Sequence, residues 1–186
     1  RLTLRAMKRA KYEPENEGHF GLATKYYCHF TSPIRRYPDL QIHRIIKDVL
    51  RGRMNGTREE HYRSILPEVA RQSSERERKA DEAERETIKL KKVEYMSHHL
   101  WEEFDGVISG VTAWGIYVEL PNTVEGLVRT ASLQGDYFEY NESACAMVGV
   151  HTGKSYAIGQ KVKVQVTGAD KMTRTIDFEL AEDEEE

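Results

Sequence analysis

The chain has 186 residues, 39% hydrophobic and 32% charged, with a formal net charge of −3. No apolar run approaches the ~18 residues of a membrane-spanning helix, and no charged-then-apolar leader reads as a signal peptide. Its two cysteines, Cys28 and Cys145, lie far apart without CxxC spacing, so they support neither a disulfide framework nor a zinc module. The expectation is a protein of a reducing compartment, the cytoplasm, with no membrane partner.

Charge is unevenly spread. Residues 1–103 carry 22 Lys and Arg against 17 Asp and Glu, whereas residues 104–186 carry 6 against 14. Five of those 14 form the run 182–186, which reads as a solvated acidic tail. A basic first half is mild support for a polyanionic partner and does not identify one.

Residues 1–20 open in a basic stretch that reads as the end of a helix, so the sequence is expected to be a piece of a longer chain. Residues 14–38 are rich in turn formers, and Ser32-Pro33 reads as an N-cap and first helical residue. From Asp39 onward, Ile42, Ile45, Ile46, Val49 and Leu50 fall at helical spacing, which predicts one buried face and a stop at Gly52. Thr57 to Glu60 matches a capping box, and helical pattern then runs to about Leu100, with Pro67 expected to open a renewed helix. Residues 71–92 are dense in charge, with Ala70, Ala80, Ala83 and Thr87 making a thin small-residue face. Either a solvated helix or one buried against a larger domain fits that pattern.

Composition changes at Phe104. Stretches 104–111, 112–120, 124–129, 150–157, 161–166 and 175–180 place β-branched and aromatic residues near period two, with glycines at the corners. Five or so short strands in about 75 residues predict a small closed barrel, and 134–149 reads as an inserted loop. The fold class expected for the whole is α+β.

Several motifs bear on chemistry. HTGKS at 151–155 is not a phosphate loop, because the required upstream glycine is Val148 and the following LysValLysVal reads as strand. The seven histidines show no metal-ligand spacing, and no aspartate cluster offers a magnesium site. Ser32, Arg35 and Arg36 are different: free amides at a helix start beside two guanidinium groups suit phosphate oxygens, although a basic surface turn would read the same. Trp114 and Tyr117, with Arg129, Asp170 and Arg174 on later segments, either stack on unpaired bases or belong to the core.

These residues carry a resemblance. HFTSPIRRYPDL at 29–40, flanked by GHFGLA at 18–23 and His43-Arg44, closely resembles the signature near the end of the catalytic domain of the ribonuclease II and ribonuclease R family. Tyr37-Pro38-Asp39 is similar to the ribonuclease R branch. FDGVISGVTAWGIYVEL at 104–120 and EGLV at 125–128 look like the S-one RNA-binding domain that ends those enzymes.

The resemblance implies residues 1–103 as the C-terminal part of an RNB catalytic domain, 104–181 as an S-one domain of the five-stranded OB-fold type, and 182–186 as a tail. It implies part of a processive 3′-to-5′ exoribonuclease that uses Mg²⁺ and releases nucleoside 5′-monophosphates from single-stranded RNA. Arg35 would hold the scissile phosphate, Ser32 and Arg36 would lie nearby on RNA, and Glu84 would lie near the substrate channel. Trp114, Tyr117, Asp170 and Arg174 match the S-one contacts, and Arg129 stands where many such domains have histidine. The family's metal-binding aspartates lie upstream of the signature and have no match here. The metal ligands and the missing N-terminal part of the same polypeptide would then complete the enzyme, and this chain alone would be inactive. Two other readings are a non-catalytic S-one RNA-binding protein, which would leave 29–40 unexplained, and a helical scaffold, which would explain only 57–100.

Overall fold

The computed structural model describes residues 10–181. The basic opening through residue 9 and the acidic run 182–186 lie outside the described residues, and residues 10–18 carry no helix. The chain divides into two compact units, at Glu84 and Arg85.

In the first unit a 3-10 turn, Phe20–Leu22, precedes helix α1, Tyr37–Leu50, and the first part of helix α2, Gly56–Met96. Pro38 stands in the first turn of α1, where no intrahelical N–H is needed, and Asp39 faces the positive helix end. The helix stops where Gly52 takes φ +63°, a left-handed conformation that glycine adopts without penalty. The predicted buried face of α1 is a correction. Asp39, Gln41 and Asp48 are the buried residues, and Ile46, Val49 and Leu50 are exposed. Periodicity fixes which residues share a face but not what covers it. Here Tyr62 and Arg58 of α2 bond to Asp48, on the polar side.

Helix α2 also begins differently from expectation. Asn55 caps it, its side-chain oxygen accepting from Arg58 N at 2.9 Å and its carbonyl from Glu59 N at 2.9 Å. Thr57 and Glu60 therefore lie inside the helix, and no capping box forms between them. Pro67 sits within the helix rather than opening a new one. It removes the N–H that would serve the Arg63 carbonyl, and both residues are exposed, so solvent can replace that bond. Ion pairs Glu59–Arg63, Glu68–Arg71 and Arg71–Glu75 lace the exposed surface of α2, and Ala80 and Ala83 are exposed too.

The second unit holds the last turns of α2 and eight strands: β1 Glu103–Thr112, β2 Gly115–Glu119, β3 Glu125–Arg129, β4 Phe138–Asn141, β5 Ala146–Gly149, β6 Ser155–Ala157, β7 Lys161–Asp170 and β8 Thr175–Leu180. A closed barrel runs in the order β1-β2-β3-β8-β7, sealed by the parallel pairing of β3 with β8. This is the predicted five-stranded barrel. Bulges near Ser109 and Thr167 bend the long strands β1 and β7, as closure of so small a barrel requires.

Inward residues Ile108, Ile116, Val118, Val128, Val164, Val166 and Phe178 fill the barrel, and Val93 and Met96 of α2 join the same core. A Cβ at Gly126 would meet the Phe178 ring at 2.5 Å, so glycine there admits the ring. One expectation fails: 134–149 is not a plain loop. β4, β5 and β6 form a separate antiparallel three-stranded sheet, and the strand expected over 150–157 is only Ser155–Ala157. Phe138, Met147 and Tyr156 bury their side chains in the common core, which is what makes this excursion ordered structure.

Candidate nucleic-acid interface

The first set of candidate residues lies on a turn, not on a helix start. Ser32 O accepts from Arg36 N at 2.9 Å and from Arg35 N at 3.3 Å, which closes the segment 32–36 before α1 begins at Tyr37. Ser32 is therefore not an N-cap: α1 begins after Arg36, and the Arg35 and Arg36 amides bond back to the Ser32 carbonyl. A Ser-Pro pair serves a β-turn, with proline at its second position, as readily as a helix start.

The turn is held from α1. Asp39 is fully buried, and its Oδ2 accepts from Ser32 N at 2.7 Å and from Arg36 Nη2 at 2.9 Å. Burial opposes its charge, but the Ser32 amide and the Arg36 guanidinium together hold its carboxyl below the usual aspartate range. One turn further along α1, His43 Nε2 lies 2.9 Å from the Phe30 carbonyl, and its ring stacks on Phe30 with centroids 4.2 Å apart. Asp39 and His43, four residues apart on one helix face, thus grip the loop at two points.

The two arginines are separated by this arrangement. Arg36 turns inward onto Asp39, with its side chain 18% exposed. Arg35 is exposed and forms no ion pair among the described residues. Among the described residues the Ser32 hydroxyl likewise makes no hydrogen bond, whereas its backbone N and O do. An unpaired guanidinium and a hydroxyl on one rigid turn suit an anion with several oxygens. Glu84, the tentative channel residue, is exposed on α2 at the end of the first unit.

On the barrel, Trp114 occupies the β1–β2 turn and is 78% exposed, so it is not a core aromatic. Tyr117 points outward from β2, half-buried, between Gly110 on β1 and Leu127 on β3. The absence of a side chain at Gly110 leaves the ring bounded there only by backbone. Register sets Arg129 opposite Gly115, beside the Trp114 turn, where Thr130 N donates to Trp114 O at 3.1 Å. A Cβ at Gly115, whose φ is +149°, would strike the Val128 carbonyl at 2.1 Å; only glycine lets β2 and β3 meet there.

The strand pair β2–β3 therefore gathers Trp114, Tyr117 and Arg129. Asp170 and Arg174 lie elsewhere, in the β7–β8 turn. Asp170 Oδ1 accepts from Met172 N at 2.7 Å, and bonds from Thr173 and Met172 hold its carboxyl below the usual range. Arg174, at φ +56°, pairs with Glu86 of α2. Arg129 donates to Asp177 Oδ1 on β8 at 3.0 Å. Sequence reasoning missed Asp39 and Asp177, the partners that orient the arginines. Asp39 could have been found from its i,i+3 spacing to Arg36; Asp177 is 48 residues from Arg129 and carried no signal.

Known proteins match both parts of the chain. The RNB domain family matches residues 1–52 and the S1 (S-one) RNA binding domain family matches residues 100–181. Ribonuclease R 1 of Lactococcus lactis subsp. lactis is 49% identical over 178 residues, 96% of this chain and 22% of that protein. Ribonuclease R of Aquifex aeolicus is 49% identical over 182 residues, 97% of this chain and 26% of its own length. The chain thus spans about a quarter of these relatives. Mycoplasma genitalium RNase R, solved in complex with ribose methylated single-stranded RNA, superposes with a TM-score of 0.87 at 27% identity, over 97% of this chain and 28% of that one.

Proposed function

Because this chain belongs to the ribonuclease R family, we propose that it is the RNA-holding end of a 3′-to-5′ exoribonuclease that degrades single-stranded RNA processively to nucleoside 5′-monophosphates. The observation that carries this reading is the Ser32–Arg36 turn, which directs one arginine inward and leaves Arg35 unpaired among the described residues. Arg35 would meet the scissile phosphate, where a fixed guanidinium stabilises charge developing on the phosphoryl oxygens. Ser32 would add a hydroxyl contact, and Glu84 would line the path of the strand. Trp114 and Tyr117 would stack on bases, with Arg129, Asp170 and Arg174 at the margin of that face.

Residues 1–103 would complete an RNB catalytic domain, and the missing N-terminal part of the same polypeptide would be its partner. The exposed Ile46, Val49 and Leu50 of α1 support such a partner, since a periodic apolar face is otherwise left in water. The described residues offer no fit to a magnesium site, since no group of three or more His, Cys, Asp or Glu converges among them. Mg²⁺ would be held by aspartates of the remaining polypeptide. No described helix is long and apolar enough to cross a membrane, and a cytoplasmic location is part of the same proposal.

The test is an RNA-degradation assay on the parent polypeptide, with and without Mg²⁺, resolving products by chromatography. Release of nucleoside 5′-monophosphates from the 3′ end only with the metal is expected. RNA binding with no release under any metal would establish instead a non-catalytic S-one binding protein.

A further inference from the structure

We propose that Asp39 is the positioning residue for Arg35, and that Arg36 serves this same positioning role rather than contacting RNA. The inference rests on the functional reading above for its kinetic consequence, and on geometry alone for its structural part.

The argument starts from what each group can do. A carboxylate oxygen accepts more than one hydrogen bond, and Oδ2 of Asp39 takes two, from Ser32 N at 2.7 Å and Arg36 Nη2 at 2.9 Å. Both donors belong to the turn that carries Arg35, one at each end. The acceptor belongs to the first turn of α1, a rigid element. Asp39 is fully buried, so these bonds are shielded from competing water. The Ser32 carbonyl is fixed in turn by the Arg36 and Arg35 amides. His43 grips the preceding Phe30 and Leu40 N reaches the Arg36 carbonyl, but the bonds that close the turn itself, at Ser32 N, Ser32 O and Arg36 Nη2, all involve Asp39 or Ser32, which Asp39 holds.

Arg35 is the residue left over. Its backbone is fixed and its guanidinium has no ion-pair partner among the described residues, which is the state a phosphate-binding group needs before substrate arrives. Reaction rate is sensitive to such placement: an error of ~1 Å in a positioned group can cost about a hundredfold. Affinity is less sensitive, because many phosphate contacts share it.

Asp39→Ala removes the single oxygen that both donors share. Arg36→Gln removes the other half of the pair at a partly exposed position, and serves where Asp39→Ala does not fold. Two readouts are needed. In this chain, hydrogen exchange of the Ser32 and Arg36 amides should quicken by about tenfold or more in either variant. In the parent polypeptide, kcat for monophosphate release should fall by about ten- to a hundredfold while KM for single-stranded RNA changes little. The double variant should be no worse than the worse single one, because both remove one interaction.

Unchanged amide exchange would overturn Asp39 as the anchor of the turn. Quickened exchange with undiminished kcat would overturn its positioning role. A raised KM at constant kcat in Arg36→Gln would make Arg36 a direct RNA contact, against the proposal. If the unsubstituted parent releases no monophosphates, the functional reading fails, and the exchange measurement alone decides whether Asp39 holds the turn.

Discussion

Arg36 Nη2 donates to Asp39 Oδ2 at 2.9 Å, and this one contact gives two adjacent arginines opposite surroundings. Arg36 is committed to a buried carboxylate within its own chain. Arg35, next to it, faces outward without a partner among the described residues. Adjacent residues on a closed turn point apart, so one can anchor while the other reaches substrate.

That difference predicts the behaviour of Arg35 substitutions in the parent polypeptide. Arg35→Ala should lower turnover by ~10²–10³ while weakening RNA binding far less. Arg35→Lys should rescue poorly, because a point charge does not reproduce a bidentate fork. Steady-state kinetics beside an equilibrium binding titration separates the two effects. Equal losses in both, or no loss, would return Arg35 to an ordinary basic surface residue.

The chain by itself should release no mononucleotide from single-stranded RNA in Mg²⁺. On the proposed reading the signature at 29–40 would supply a phosphate contact, whereas activation of water by a metal needs a carboxylate cluster that the resemblance places upstream. Chromatography of the products after long incubation is the check. Metal-dependent release by the pure chain would point to a metal site built from residues given no such role here.

Much of the barrel was legible because its strands obey period two and its corners are glycines. Val118, Val128 and Phe178 point inward as the alternation requires. The excursion 138–157 was not, since β4, β5 and β6 are only three or four residues each and too short to show a period. On α1 the helical spacing of the apolar positions predicts a buried face, yet Ile46, Val49 and Leu50 are exposed, and the sequence has no means of saying that Asp39 and Asp48 are the buried ones. The site residues themselves were legible through a long motif. Their partners were not: Arg129 finds Asp177 and Arg174 finds Glu86 across 48 and 88 residues, pairings that only the folded chain creates.

Asp136 ties the β4–β6 excursion together and gives it a pH dependence. Its Oδ2 accepts from Thr152 N at 2.6 Å, Thr152 Oγ1 at 2.7 Å and His151 N at 2.9 Å, and Oδ1 accepts from Tyr137 N. The Thr152 amide, aided by the other donors against burial, brings its carboxyl down to about 2. A depressed folded-state value means that its stabilisation is fully present above the ordinary aspartate range, near pH 4, and is lost as pH falls through about 2. Asp136→Asn should therefore lower Tm at neutral pH, and should show a smaller further drop than the parent chain between pH 4 and pH 2.5. Thermal denaturation followed by circular dichroism measures both. An identical acid slope in the two proteins would show that other carboxylates carry it.

Binding of single strands by the second unit, residues 85–186, should depend on placed aromatic rings more than on charge. Residues 104–181 hold six basic and nine acidic side chains, so general attraction to a polyanion is weak. Four of the basic groups are further engaged, Arg129 with Asp177, Lys163 with Glu103, Lys171 with Glu94 and Arg174 with Glu86. What remains free is ring surface: Trp114 is 78% exposed, and Tyr117 faces outward beside Gly110. Stacking contributes ~1–3 kcal/mol per base, so Tyr117→Ala or Trp114→Ala should weaken binding of a single-stranded oligonucleotide by roughly ten- to a hundredfold. The salt dependence should be shallow, with a slope reporting only about one or two neutralised phosphates. Duplex RNA should bind worse, because its bases are already stacked and offer these rings nothing. Fluorescence titration of the folded variants, with folding checked by circular dichroism, decides the matter. Should Tyr117→Ala and Trp114→Ala both bind as the parent unit does, with a steep salt slope, the grip would be electrostatic and the lysines outside β2 and β3 would have to supply it.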